Sequence, residues 1–65
     1  MKRMIVWSDG SWWRVTMPDS PDVKELFGTD TLPTAFRATM PVAQVLAQLK
    51  AIPENATFDI QLAGR

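Results

Sequence analysis

A chain of 65 residues holds one domain, residues 1–65, near the lower limit at which a hydrophobic core alone sustains a fold. Without Cys there is no disulfide framework, and without Cys or His the usual zinc, copper and haem ligands are missing; no metal or cofactor is expected, and stability must come from packing or from a partner. The basic and acidic residues number seven each and the hydrophobic fraction of 46% is that of a globular chain, which argues against intrinsic disorder and against a general attraction to nucleic acid or anionic lipid.

The first element is a β-hairpin over Lys2 to Met17. Two runs of β-branched and aromatic residues flank Ser8-Asp9-Gly10-Ser11, and Asp-Gly favours a two-residue type I′ turn. That turn pairs Trp7 with Trp12, Val6 with Trp13, Ile5 with Arg14, Met4 with Val15 and Arg3 with Thr16. Paired residues share a face, so Met4, Val6, Trp13, Val15 and Met17 form an apolar core side. The opposite face carries Arg3, Ile5, Trp7, Trp12, Arg14 and Thr16, an unusual set for a solvent side. A glycine-bulged turn would slip the register by one and exchange Trp12 and Trp13 between the faces.

A short helix follows. Ser20 suits the N-cap, Pro21 the first helical position, Asp22 the positive end of the dipole and Gly28 the left-handed C-terminal cap. A helix of about two turns is marginal alone and must dock through Val23, Leu26 and Phe27. The tryptophan face of the hairpin offers one place for it. Thr34 to Ala38 reads as a short strand, with Pro33 at its entry or on a sheet edge.

The second helix runs from about Met40 to Ile52, with Val42, Val45, Leu46, Leu49 and Ile52 on one face. Thr39 or Met40 caps it, Pro41 lies in its first turn and Pro53 stops it. In the last segment, Ala56, Phe58, Ile60 and Leu62 alternate with Thr57, Asp59 and Gln61, a strand buried on one side. Short strand, helix and last strand then form a right-handed crossover between parallel strands. The expected fold class is α+β, in the order ββα(β)αβ, with the hairpin and the C-terminal strand packed on the second helix.

The apolar run after Met1 breaks at Ser8-Asp9-Gly10, too early for a signal sequence or a membrane span, so the expected location is the cytoplasm. Asn55-Ala56-Thr57 matches a glycosylation sequon, a short pattern that arises easily by chance. Charge is unevenly spread. Met1–Pro18 carries Lys2, Arg3 and Arg14 against Asp9, net +2, while Asp19–Asp30 carries Asp19, Asp22, Glu25 and Asp30 against Lys24, net −3. The two stretches either lie against each other or one of them meets an oppositely charged partner.

The chain lacks His, Cys and Tyr, the side chains that most often perform acid–base or covalent chemistry, and no enzyme is expected. Asp19, Asp22 and Glu25 come nearest to an oxygen-ligand cluster, but their spacing also suits a helix dipole and a solvated face. No glycine pattern opens a helix as a phosphate cradle does. The candidate site is the hairpin face of Arg3, Ile5, Trp7, Trp12 and Arg14.

Trp and Arg dominate protein interfaces, and the expected function is a small non-catalytic protein-binding module. Its partner is another protein or a second copy of the chain. Size and type suit an adaptor, a subunit, or a regulator or inhibitor of the kind carried by phages and plasmids. The alternative is single-stranded nucleic acid, with bases stacked on Trp7 and Trp12. A purely structural role is also consistent: a Trp7–Trp12 cross-strand pair covered by Leu26, Phe27 and Leu32, with an arginine on each ring. Helix residues Gln44, Ala47, Gln48 and Ala51 form a second candidate surface.

Overall fold

Alternating apolar residues in Lys2–Ser8 (β1) and Trp12–Thr16 (β2) build a hairpin, and this hairpin is the centre of the sheet rather than its margin. The computed structural model describes residues 1–63, in which four strands lie in the order β3-β2-β1-β4. Thr31–Arg37 (β3) runs antiparallel to β2, and Phe58–Leu62 (β4) runs parallel to β1. Between them come two α-helices, Pro21–Phe27 (α1) and Val42–Lys50 (α2), and a 3-10 helix, Pro53–Thr57. The fold is α+β, and the element order is the expected one.

The hairpin register differs from the two-residue turn. Ile5 pairs with Thr16, Val6 with Val15, Trp7 with Arg14 and Ser8 with Trp13, a slip of two residues. The cause is Asp9. Its Oδ1 accepts the backbone N–H groups of Ser11 and Trp12, both at 2.8 Å, while its own N–H donates to the Trp12 carbonyl at 3.0 Å. Gly10 sits at φ 97°, and its N–H donates to Ser8 Oγ at 3.1 Å. These bonds close a wider loop over Asp9–Trp12. Because the slip is even, every side chain keeps its predicted face.

β3 is longer than the short strand expected, and Pro33 lies inside it. The Met17 N–H donates to the Asp30 carbonyl at 2.8 Å, so Asp30 and Leu32 bond β2 while the nitrogen of Pro33 turns outward, where a strand tolerates it. An irregularity between Trp12 and Arg14 is bridged by Thr34, whose hydroxyl donates to the Trp13 carbonyl at 2.6 Å and accepts the Phe36 N–H at 3.1 Å. β3 and β4 run in the same direction, as expected of the crossover, but stand at opposite edges with the hairpin between them.

The core lies on one side of the sheet. Met4, Val6, Val15, Met17, Val45 and Leu49 are buried, and Trp13, Val23, Leu32, Phe36, Phe58 and Ile60 are among the side chains packed against them. The Trp13 indole N–H donates to the Met40 carbonyl at 3.1 Å, which satisfies its polar edge. α2 begins at Val42 with Pro41 as N-cap, later than the expected start, because Met40 precedes a proline and is disfavoured in helical conformation. The Pro41 carbonyl accepts from Gln44 and Val45. At the other end Asn55 Nδ2 donates to the Leu49 carbonyl at 2.9 Å, so the sequon asparagine serves as an anchor for the helix terminus. Ile52, expected on the buried face, lies beyond this end and is exposed, and Ala56 and Thr57 belong to the 3-10 helix rather than to β4.

α1 follows its sequence signals at both ends. Ser20 is the N-cap by position and its carbonyl accepts the Val23 N–H at 3.0 Å, although its buried hydroxyl has no partner. Gly28 closes the helix at φ 77°, its N–H donating to the Lys24 carbonyl at 2.8 Å. Docking is another matter. Val23 alone packs on the core, whereas Leu26 and Phe27 are 77% and 56% exposed. Among the described residues no helix is long and apolar enough to cross a membrane.

Candidate functional site: the helix-free face of the sheet

Strand alternation places Ile5, Trp7, Trp12, Arg14 and Thr16 opposite the core, joined by Thr31 and Pro33 from β3 and by Asp59 and Gln61 from β4. Val23 and the α2 residues pack on the other side, so this face carries no helix. Trp7 and Trp12 are both half-buried by their neighbours in the sheet. The expected cover by Leu26 and Phe27 is not there: those side chains are exposed, and Phe27 borders the helix side next to Leu32 and Phe36.

The two tryptophans are not a cross-strand pair either. The register sets Trp7 opposite Arg14 and Trp12 opposite Arg37. The Trp7 indole N–H donates to Thr16 Oγ1 at 2.9 Å, and the Thr16 hydroxyl meets that of Thr31 at 3.0 Å. A polar chain therefore crosses three strands and fixes the Trp7 ring. Trp12 is held differently, by the Arg37 guanidinium stacked 4.7 Å from the ring centroid.

Arg3 and Arg14, expected to flank the rings, are committed to carboxylates. Arg3 makes a two-pronged pair with Asp19, Nε to Oδ2 at 2.8 Å and Nη2 to Oδ1 at 2.9 Å, and its backbone N–H adds a third bond at 3.1 Å. These donors, the guanidinium first and the N–H second, hold the Asp19 carboxyl well below the usual carboxylate range. Arg14 pairs with Asp9. The Trp12 N–H, the Arg14 guanidinium and the Ser11 N–H together lower Asp9 to about 2. The basic N-terminal stretch and the acidic stretch after it thus meet at Arg3–Asp19, one of the two arrangements the charge pattern allowed.

The residue the sequence reading passed over is Arg37. It ends β3, and only the register across β2 reveals that it reaches Trp12. Among the described residues it forms no salt bridge. Next to it Trp12, Arg14, Pro33, Thr34 and Ala35 line a shallow depression of about 380 Å³. The helix side holds a larger apolar groove, about 740 Å³, bordered by Val23, Phe27, Leu32, Phe36 and Ile52. A sequence signal for that groove existed in Phe27 just before Gly28, but the pattern reads equally as packing. Gln44, Ala47, Gln48 and Ala51 of the second candidate surface are all exposed.

No protein-family model matches the chain, and neither the curated proteins nor the solved structures compared with it contain a match.

Proposed function

We propose that the chain is a non-catalytic protein-binding module, a small regulator or accessory subunit, whose contact surface is the helix-free sheet face around Trp12 with Trp7, Ile5, Arg14 and Arg37. One observation carries this reading: the face presents aromatic surface while two of its arginines, Arg3 and Arg14, are neutralised by Asp19 and Asp9. Single-stranded nucleic acid is held by stacking together with an uncompensated basic track, and here that track is missing from the described residues. A protein partner needs no such track. An apolar side chain fits the depression between Trp12 and Pro33, and a carboxylate beside it meets Arg37, a pairing of the kind found at interface hot spots.

The test is capture of the partner from the source cells by the wild-type chain and by the Trp12→Ala/Arg37→Ala double variant. Arg37 is exposed and Trp12 half-buried, and far-UV dichroism checks that the variant is folded before its binding is compared. The expected result is loss of a defined partner, about 100-fold or more in affinity, for two hot-spot residues. Retention by this variant, with loss by Leu26→Ser/Phe27→Ser, moves the contact to the helix-side groove. Quenching of tryptophan fluorescence by a single-stranded oligonucleotide, reversed by salt, overturns protein binding in favour of nucleic acid.

A further inference from the structure

The two edges of the sheet are built in opposite ways. At the β3 edge Pro33 has no N–H to offer, and the outward N–H of Thr31 is taken by Thr29 Oγ1 at 3.1 Å. Such an edge resists a further strand. At the β4 edge, the Ala63 N–H donates to the Val6 carbonyl at 2.9 Å. In a parallel ladder alternate residues bond the same neighbour, so Asp59, Gln61 and Ala63 face β1. Ile60 and Leu62 turn their N–H and C=O groups outward, where the described residues supply no partner. No proline interrupts β4, and Leu62 is 50% exposed.

We infer that β4 pairs with β4 of a second copy of this chain, antiparallel and centred on Ile60, joining two four-stranded sheets into one. The sequence of β4 is self-complementary about that point. With Ile60 opposite Ile60, Phe58 meets Leu62 on the core face and Asp59 meets Gln61 on the other, and no like charges face each other. The outward groups of Ile60 and Leu62 are then satisfied in the closely spaced rings of an antiparallel ladder. Lys50 of α2 and Asp59 border the same edge, so the surface carries both signs of charge and does not repel its own copy. This edge adjoins the helix-free face at Asp59 and Gln61 but includes none of the residues proposed for the Trp12 contact surface, and the inference stands or falls independently of the proposed function.

A five-residue strand is a small interface, well below the roughly 1,600 Å² of a standard one, so the association is weak, with Kd on the order of 100 µM. The experiment combines sedimentation equilibrium of the whole chain, from about 10 µM to about 1 mM, with residue-resolved amide exchange at both ends of that range. The expected result is a shift from the 7.3 kDa monomer toward a dimer, with exchange at Ile60 and Leu62 slowed about fourfold, the fall in monomer fraction that this Kd gives over the range, while Gln61 and Ala63 do not change. Leu62→Pro removes one outward N–H without touching the bonds to β1 and should remain monomeric throughout; Leu62→Lys replaces it if the proline variant fails to fold. A chain still monomeric at the highest concentration overturns the inference. So does a dimer whose Ile60 and Leu62 amides exchange as fast as in the monomer, or one that survives both Leu62 substitutions.

Discussion

The two faces of one sheet are stabilised by different physics. On the helix side six side chains are removed from water, and the energy is that of apolar burial and close packing. On the other side the same strands present half-buried rings held by directional contacts: Trp7 to Thr16 to Thr31, Arg37 over Trp12, Arg14 to Asp9. A face that is not covered by a helix can still be ordered, provided its amphipathic side chains find partners within the sheet. The rings on such a face are fixed in position, which would lower the entropic cost of the contact proposed above.

The division predicts unequal costs of truncation. Leu49 is buried on the helix side, and Leu49→Ala should cost about 3 kcal/mol from the lost methylenes and the cavity they leave. A domain of this size has a total stability of about 3 to 10 kcal/mol, so the variant should be largely unfolded under mild denaturant. Trp12→Ala, although it deletes a larger side chain, should cost about half of that, because part of its ring already faces water. Urea titrations of the two variants decide it. Equal losses would mean that the helix-free face is a second core.

The polar chain across the hairpin offers a finer cut. Thr16→Val keeps the shape and β-branching of the side chain but removes the acceptor of the Trp7 indole N–H and the partner of the Thr31 hydroxyl. The expected loss is about 1 to 2 kcal/mol. Trp7→Phe in the same background should then cost less than in the wild type, since the N–H it deletes already lacks a partner. Additive losses in this double-mutant cycle would show that Trp7 is held by packing alone.

The contrast also explains what could be read from the sequence. Period-two alternation in β1, β2 and β4 assigned the core side correctly, because burial on one face imposes that pattern directly. The caps at Ser20 and Gly28 were legible for the same local reason. What was not legible depended on contacts between distant residues. The two-residue slip of the hairpin follows from the Asp9 carboxylate choosing backbone N–H groups over solvent, and the stacking of Arg37 on Trp12 follows from the β2–β3 register, which no local pattern encodes. Leu26 and Phe27 were read as docked because a short helix needs anchors; the chain instead spends Val23 on the core and leaves two large apolar groups in water. Of the candidate face, Arg3, Ile5, Trp7, Trp12 and Arg14 all share the helix-free side as expected, but Arg3 is committed to Asp19 at the end of the hairpin rather than to a ring.

Acid provides the smallest effect and the most specific test of how the helix-free face is neutralised. Asp9 and Asp19 are both ionised more readily in the folded chain than in the unfolded one. Their contribution to stability is therefore complete above the unfolded carboxylate pKa of about 4 and is lost as pH falls through the folded values, near 2 for Asp9 and lower still for Asp19. Both pairs are exposed, so salt should weaken the effect. A carbon-detected titration of the side-chain carboxyls should show Asp9 protonating before Asp19. Asp19→Asn should flatten the acid limb of the stability curve more than Asp9→Asn, because the two-pronged pair with Arg3 holds Asp19 further below the usual carboxylate range than Asp9 is held. At neutral pH the double variant releases Arg3 and Arg14 as uncompensated cations on the hairpin, Arg14 directly opposite Trp7. If neutralisation is what turns this face from nucleic acid to protein, that variant should gain a salt-sensitive affinity for single-stranded oligonucleotides that the wild type lacks. An unchanged affinity would mean that the two carboxylates serve the hairpin's geometry alone and that selectivity comes from the shape of the face.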